Sequence, residues 1–201
     1  MFSKKLNRVF INGDLLNKVK KYNVRGGWEV SNNDVKAFKK EIVKETEKNQ
    51  DKKCAYCELP LETRYPEIEH IAKKSKHYNV IFDPCNLVRV CHSCNSTTHK
   101  GQKEVVVDSA DNNYEKWVFN IVHPYLDDPR DYYDYDAPII CYIKVKSSLS
   151  AKDKEKAENT IKMFDLNSIA MIEERKKNRI YESLDSAEKE RILSISSYKK
   201  R

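Results

Sequence analysis

Two Cys-x-x-Cys pairs, Cys54/Cys57 and Cys91/Cys94, constrain this 201-residue chain more than anything else in it. Their spacing is C-x2-C-x33-C-x2-C. Four thiolates in two such knuckles fill a tetrahedral zinc site, and in small modules the energy of binding zinc is largely the folding energy. The central interval exceeds that of an ordinary zinc ribbon, so inserted structure is expected between the knuckles. Two further cysteines, Cys85 and Cys141, read as reduced thiols. The first residues, Met1 to Arg8, have no apolar run behind their charges, and no stretch approaches the roughly 18 apolar residues of a membrane span. A reducing, cytoplasmic setting with bound metal and no membrane is therefore expected, rather than a disulfide framework.

The net charge of +7 is unevenly spread. Residues 1–53 carry 14 Lys/Arg against 7 Asp/Glu, whereas residues 102–150 carry 5 against 9. A basic first third and an acidic middle point to a polyanion engaged from one side. Ser31-Asn32-Asn33-Asp34 reads as a helix start. Val35, Phe38, Ile42 and Val43 then repeat on one helical face to about Asn49. Short strands are expected at Val105–Val107, 117–122 and 139–145. Three helices follow, with Ser150, Asn167 and Asp185 as their caps. The expected organisation is a basic helical segment (1–53), a cysteine module (54–104), and strands, an acidic Tyr-rich loop and helices (105–201). The fold class is α+β.

Between the knuckles lie Glu69-His70 and Asn86, and Asn95 abuts the second pair. Phosphodiester hydrolysis with a metal ion needs a base for water, a divalent cation for the phosphate charge, and a group that orients the base. His70 is the natural base near neutral pH, Glu69 offers a hard carboxylate, Asn95 an amide oxygen, and Asn86 can orient the imidazole. On an ideal strand Glu69 and His70 would face opposite ways, so the pair must sit at a strand end or bulge. Lys73, Lys74 and Lys76 follow the base directly. With Arg89, Lys100 and Lys103 they make a candidate phosphate track, without sequence readout.

Cys54-Ala55-Tyr56-Cys57, Ile68-Glu69-His70-Ile71, Asn86-Leu87-Val88 and Cys91-His92-Ser93-Cys94-Asn95, in that order, resemble the zinc-bearing HNH endonucleases of the ββα-metal type. The resemblance covers about 50 residues. It implies a ββα-metal core stapled by a four-cysteine zinc site, with Glu69 and Asn95 as ligands of a catalytic Mg²⁺ or Mn²⁺. It also implies His70 as general base, Asn86 as its orienting residue, and DNA as substrate. His99, four residues beyond Asn95, is a candidate third ligand if a helix carries both. A fainter resemblance runs through Ile121 to Pro129, Phe164-Asp165-Leu166-Asn167 and Arg175. It is to the HNH subunits of Septu-type anti-phage systems, which implies assembly with an ABC-like ATPase. Tyr125, Tyr132, Tyr133 and Tyr135, in the loop from Pro124 to Pro138, are the expected docking surface. The competing readings are a zinc-ribbon nucleic-acid-binding module without catalysis, and a regulatory subunit docked through its C-terminal helices.

Overall fold

A computed structural model describes residues 4–135 and 141–195. Helix α1 (Gly13–Lys20) and helix α2 (Asn33–Asn49) open the fold and pack together. Asn32 caps α2 by accepting from the Val35 amide at 2.9 Å, so the polar run ahead of the helix does what its side-chain chemistry allows. Val35, Phe38, Ile42 and Thr46 form its buried stripe. At its end Gln50 acts as a surrogate strand. Its amide oxygen accepts from the Arg89 N–H (2.9 Å) and its amide nitrogen donates to the Arg89 carbonyl (2.7 Å).

Strands β1 (Pro66–His70) and β2 (Leu87–Cys91) form an antiparallel pair in which Pro66 faces Cys91 and His70 faces Leu87. The one-turn helix α3 (His92–Asn95) follows β2 directly. The two other sheets are also two-stranded. Strand β3 (Val106–Asp108) pairs with β4 (Val118–Phe119), and β5 (Tyr133–Tyr135) pairs with β6 (Ile143–Val145). Between them lies the single turn α4 (Pro129–Tyr132). Helices α5 (Ala151–Met163), α6 (Ile169–Ser183) and α7 (Ser186–Ile195) complete the described chain. Among the described residues no helix is long and apolar enough to cross a membrane.

One hydrophobic cluster runs from Val9 and Phe38 through Leu87 and Val88 to Phe119 and Leu166. Tyr56, inside the first knuckle, stacks on Phe164 at the end of α5 (4.0 Å between centroids). This seats the end of α5 on the cysteine module.

Several expectations change at this level. Residues 120–122 leave the ladder after β4, although Ile121 and Val122 are buried. A continuous apolar run satisfies burial equally well without a strand partner. Ser168, not Asn167, caps α6. Asn167 is instead spent on β6, accepting from the Ile143 amide and donating to the Ile143 carbonyl. Ser150 and Asp185 cap α5 and α7 as expected. Of the stretch expected as a strand over 139–145, residues 139 and 140 lie outside the described ones. Three tyrosines of the Tyr-rich loop are engaged by the fold. Tyr125 and Tyr133 are buried, their hydroxyls donating to the Leu87 carbonyl (2.7 Å) and the Ala157 carbonyl (3.1 Å). Tyr132 is half-buried and donates to Asp127. A phenol with both a large apolar ring and a buried acceptor within reach gains more from the core than from solvent. Pro138 lies outside the described residues.

Candidate metal centre and adjoining cleft

The knuckles meet through local backbone geometry. After Cys54 the chain doubles back, with the Glu58 amide donating to the Cys54 carbonyl and the Cys54 amide to Leu59. Glu58 takes a left-handed φ of 55° to allow this. Cys91 ends β2 and Cys94 lies one turn on in α3, so a strand–helix junction supplies the second pair. The four sulfurs lie within 4.8 Å of one another, and Cys57 and Cys91 Sγ are 3.8 Å apart. Zinc–sulfur bonds of about 2.3 Å in a tetrahedron require sulfur–sulfur edges of about 3.8 Å, the separation of Cys57 and Cys91 Sγ, with the remaining sulfurs close by. All four cysteines are buried, and thiolates held this closely away from water need a cation. Cys54, Cys57, Cys91 and Cys94 thus form a site able to hold a structural zinc ion.

Beside it lies a cleft of about 210 Å³ whose lining includes Trp28, Glu69, His70, Lys73, Asn95 and Lys100. His70 is the last residue of β1, so Glu69 and His70 both reach the cleft where the strand stops. The His70 ring is buried edge-on against Trp28 (4.4 Å between centroids). Its Nε2 is 3.1 Å from the Ile81 carbonyl. A carbonyl only accepts, so Nε2 carries the proton and Nδ1 is left as the basic nitrogen. Burial, then the charge of Lys74, pushes the imidazole down to about 3, which keeps it neutral.

Asn86 does not touch that ring. It is fully buried and clamps the segment that follows His70. Its Oδ1 accepts from the Ala72 amide (2.7 Å) and from the Tyr114 hydroxyl (3.0 Å). Its Nδ2 donates to the Val80 carbonyl (3.0 Å), next to the carbonyl that fixes His70.

Glu69 is buried and faced by Lys100 Nζ at 3.2 Å. Burial raises its carboxyl above the ordinary range, and the Lys100 charge offsets only part of that. Lys100 is itself fully buried and donates to the Lys103 carbonyl. It is the counter-ion of Glu69 rather than a surface phosphate contact. Asn95 Nδ2 donates to Glu67 Oε2 (2.5 Å), and Glu67 Oε1 also meets His92 Nδ1 (2.7 Å). Partial burial pushes the Glu67 carboxyl up, but hydrogen bonds from His92 and Asn95 outweigh it and hold it below the usual value. With its nitrogen engaged, Asn95 has its amide oxygen left to serve as a ligand. Glu69 and Asn95 both line the cleft.

Other expected residues lie elsewhere. His99 is not on a helix with Asn95, because α3 stops at Asn95 and Ser96 is extended (ψ 161°). The His99 ring instead turns back to the Ser93 carbonyl, 2.9 Å from Nδ1. Arg89, in the middle of β2, is buried with Glu47 at 3.9 Å and does not line the cleft. Lys73 and Lys74 line the cleft, and Lys76 lies at 3.4 Å from Glu104. The sequence alone did not assign Trp28, Glu67 or the Lys100–Glu69 pair. Strand alternation would have found Glu67, since residues two apart share a face. Nothing in the local pattern points to Trp28, which arrives from a distant turn.

No family model matches the chain. A stretch of 60 residues is 37% identical to "Septu protein PtuB" of Bacillus thuringiensis, covering 28% of this chain and 23% of that protein. The chain therefore matches about a quarter of that relative's length. The chain is an α+β protein with a four-cysteine metal site and a partial, distant similarity to a Septu protein.

Proposed function

We propose that the cleft is the active site of a metal-dependent HNH endonuclease acting on DNA. The observation that carries this reading is the state of His70. Its Nε2–H is committed to the Ile81 carbonyl, which leaves Nδ1 unprotonated in a cleft that Glu69 also lines. His70 Nδ1 takes the proton of the attacking water. The Ile81 carbonyl fixes the ring through Nε2, and Asn86 braces the adjacent Val80 carbonyl. Glu69 and Asn95 hold a divalent cation, which when bound neutralises phosphate charge and steadies the leaving oxygen. The four cysteines, joined through zinc, fix β2 and α3, and with them Asn95. By the resemblance to Septu-type subunits, the nuclease works in an anti-phage complex with an ATPase partner.

A specific observation favours a second reading, in which the chain is a non-catalytic zinc-ribbon nucleic-acid-binding or regulatory subunit. Glu69 already has a cation in Lys100, and the Asn95 amide already serves Glu67. On that reading the polar cleft is complete without a second metal. Nicking of supercoiled plasmid by zinc-loaded protein with Mg²⁺, with Mn²⁺ or with no added divalent ion separates the two. The nuclease reading expects cleavage in either metal and none without it, with Glu69→Ala losing activity at low Mn²⁺. No cleavage in any metal by zinc-loaded protein, alone or with its partner, leaves the binding reading.

A further inference from the structure

The cleft does not end at Trp28. A second hollow of about 240 Å³ adjoins it, lined by Arg25, Gly26, Glu29, Ser75 and Ile81, and the two hollows share Trp28 and Lys74. The turn that divides them is specified by its sequence. Gly26 takes φ +79°, and a Cβ on Gly27 would fall 1.8 Å from the Tyr22 carbonyl oxygen. A side chain is excluded at the second position and strained at the first. Lys39 Nζ donates to the Trp28 carbonyl (2.6 Å) and lies 4.5 Å from the centre of the Trp28 ring. The Phe82 amide donates to Asn23 Oδ1, which ties the same turn to the loop that carries Ile81.

The cations around these hollows are not equivalent. Lys74 is paired with Glu29, Lys76 with Glu104 and Lys100 with Glu69, and Lys39 is held by the Trp28 carbonyl. Arg25, exposed in the second hollow, and Lys73, half-buried in the first, have no ion pair among the described residues. A cation already matched to a carboxylate gains little from a phosphate, because one pair is exchanged for another. An unmatched one releases counter-ions when it meets the polyanion. We propose that Arg25 and Lys73 contact backbone phosphates of a polynucleotide in the two hollows that share Trp28, so that the strand crosses this residue from the His70 cleft into the second hollow. The proposal rests on the nucleic-acid reading above and names how that site holds its substrate. It narrows the phosphate track to two cations, one of them more than forty residues ahead of the cysteine-bracketed chemistry in sequence.

Binding tests this without cleavage. Fluorescence anisotropy with a labelled DNA duplex of about 20 base pairs, with zinc-loaded protein in Ca²⁺ and no added Mg²⁺ or Mn²⁺, gives log K against log salt between about 50 and 200 mM. Arg25→Gln and Lys73→Gln should each flatten the slope by about 0.9, the loss of one phosphate contact, and weaken binding at low salt. Arg25→Lys should keep the slope, because it keeps the charge. Lys152→Gln, an equal charge change on α5 outside both hollows, should leave it unchanged. If the wild type binds with a steep slope and Arg25→Gln and Lys73→Gln run parallel to it, the two-phosphate path is wrong and the nucleic-acid reading stands. If the wild type shows no salt-dependent binding, the nucleic-acid reading falls and the path falls with it.

Discussion

At the scale of single residues the cleft is governed by burial. Glu69 and Lys100 face each other out of water, and each is tolerable only because of the other. Removing one partner of such a pair costs about 3–5 kcal/mol, because the remaining charge stays buried and unpaired. Lys100→Met should therefore lower stability by that order, and adding Glu69→Gln should recover much of it. A double-mutant cycle by urea denaturation measures the coupling, and additive effects would contradict the pairing. His123 makes a second residue-scale case. Its Nδ1 accepts from the Tyr125 and Leu126 amides, so Nε2 carries the proton and donates to the Tyr114 hydroxyl, which in turn donates to Asn86. Burial, then the charges of Lys156 and Lys5, pushes His123 down to about 3. Its folded pKa lies below the unfolded value of about 6.5, so the unfolded chain binds the extra proton. Its contribution is intact above about pH 6.5 and is lost as pH falls toward 3, at up to about 1.4 kcal/mol per pH unit. Denaturation midpoints between about pH 7.5 and 5.5 should fall more steeply for the wild type than for His123→Gln, and equal slopes would show that His123 is not buried as the neutral ring.

At the scale of elements, what could be read in the sequence depended on how local the physics is. The cysteine quartet was legible because ligand count and spacing are a chemical requirement. Its consequence is that Cys57→Ser should unfold the β1–β2–α3 region and release zinc, visible as lost far-UV signal and free zinc in a chromogenic assay. Retained zinc and structure would contradict the four-sulfur site. The α2 start was legible because Asn32 needs only the amide three residues on. The Asn167 cap was not, because β6, 24 residues earlier, offered the same side chain two hydrogen bonds. The tyrosines near Pro124 looked like a docking surface because composition does not say which ring finds a buried acceptor. Tyr125 found the Leu87 carbonyl at the start of β2. Tyr125→Phe strands that carbonyl and should cost about 1–3 kcal/mol, read from the urea midpoint. No change would mean the hydroxyl contributes nothing to holding β2.

At the scale of the molecule, one core joins the basic first third, the cysteine module and the C-terminal helices, and the cleft opens where the first two meet at Trp28 and His70. The residues of the cleft were legible as a group because they lie between or beside the knuckles. The wall and cation supplied by the Arg25–Trp28 turn were not, since nothing local ties that turn to position 70. The central claim is that His70 is a base and the zinc a staple. Plasmid nicking in Mn²⁺ by His70→Ala, beside the wild type and with zinc content and DNA affinity measured on the same preparations, tests it most directly. Loss of cleavage by a factor of about 10² or more, with one zinc per chain and DNA binding retained, is the predicted result. Cleavage by His70→Ala at the wild-type rate would contradict it.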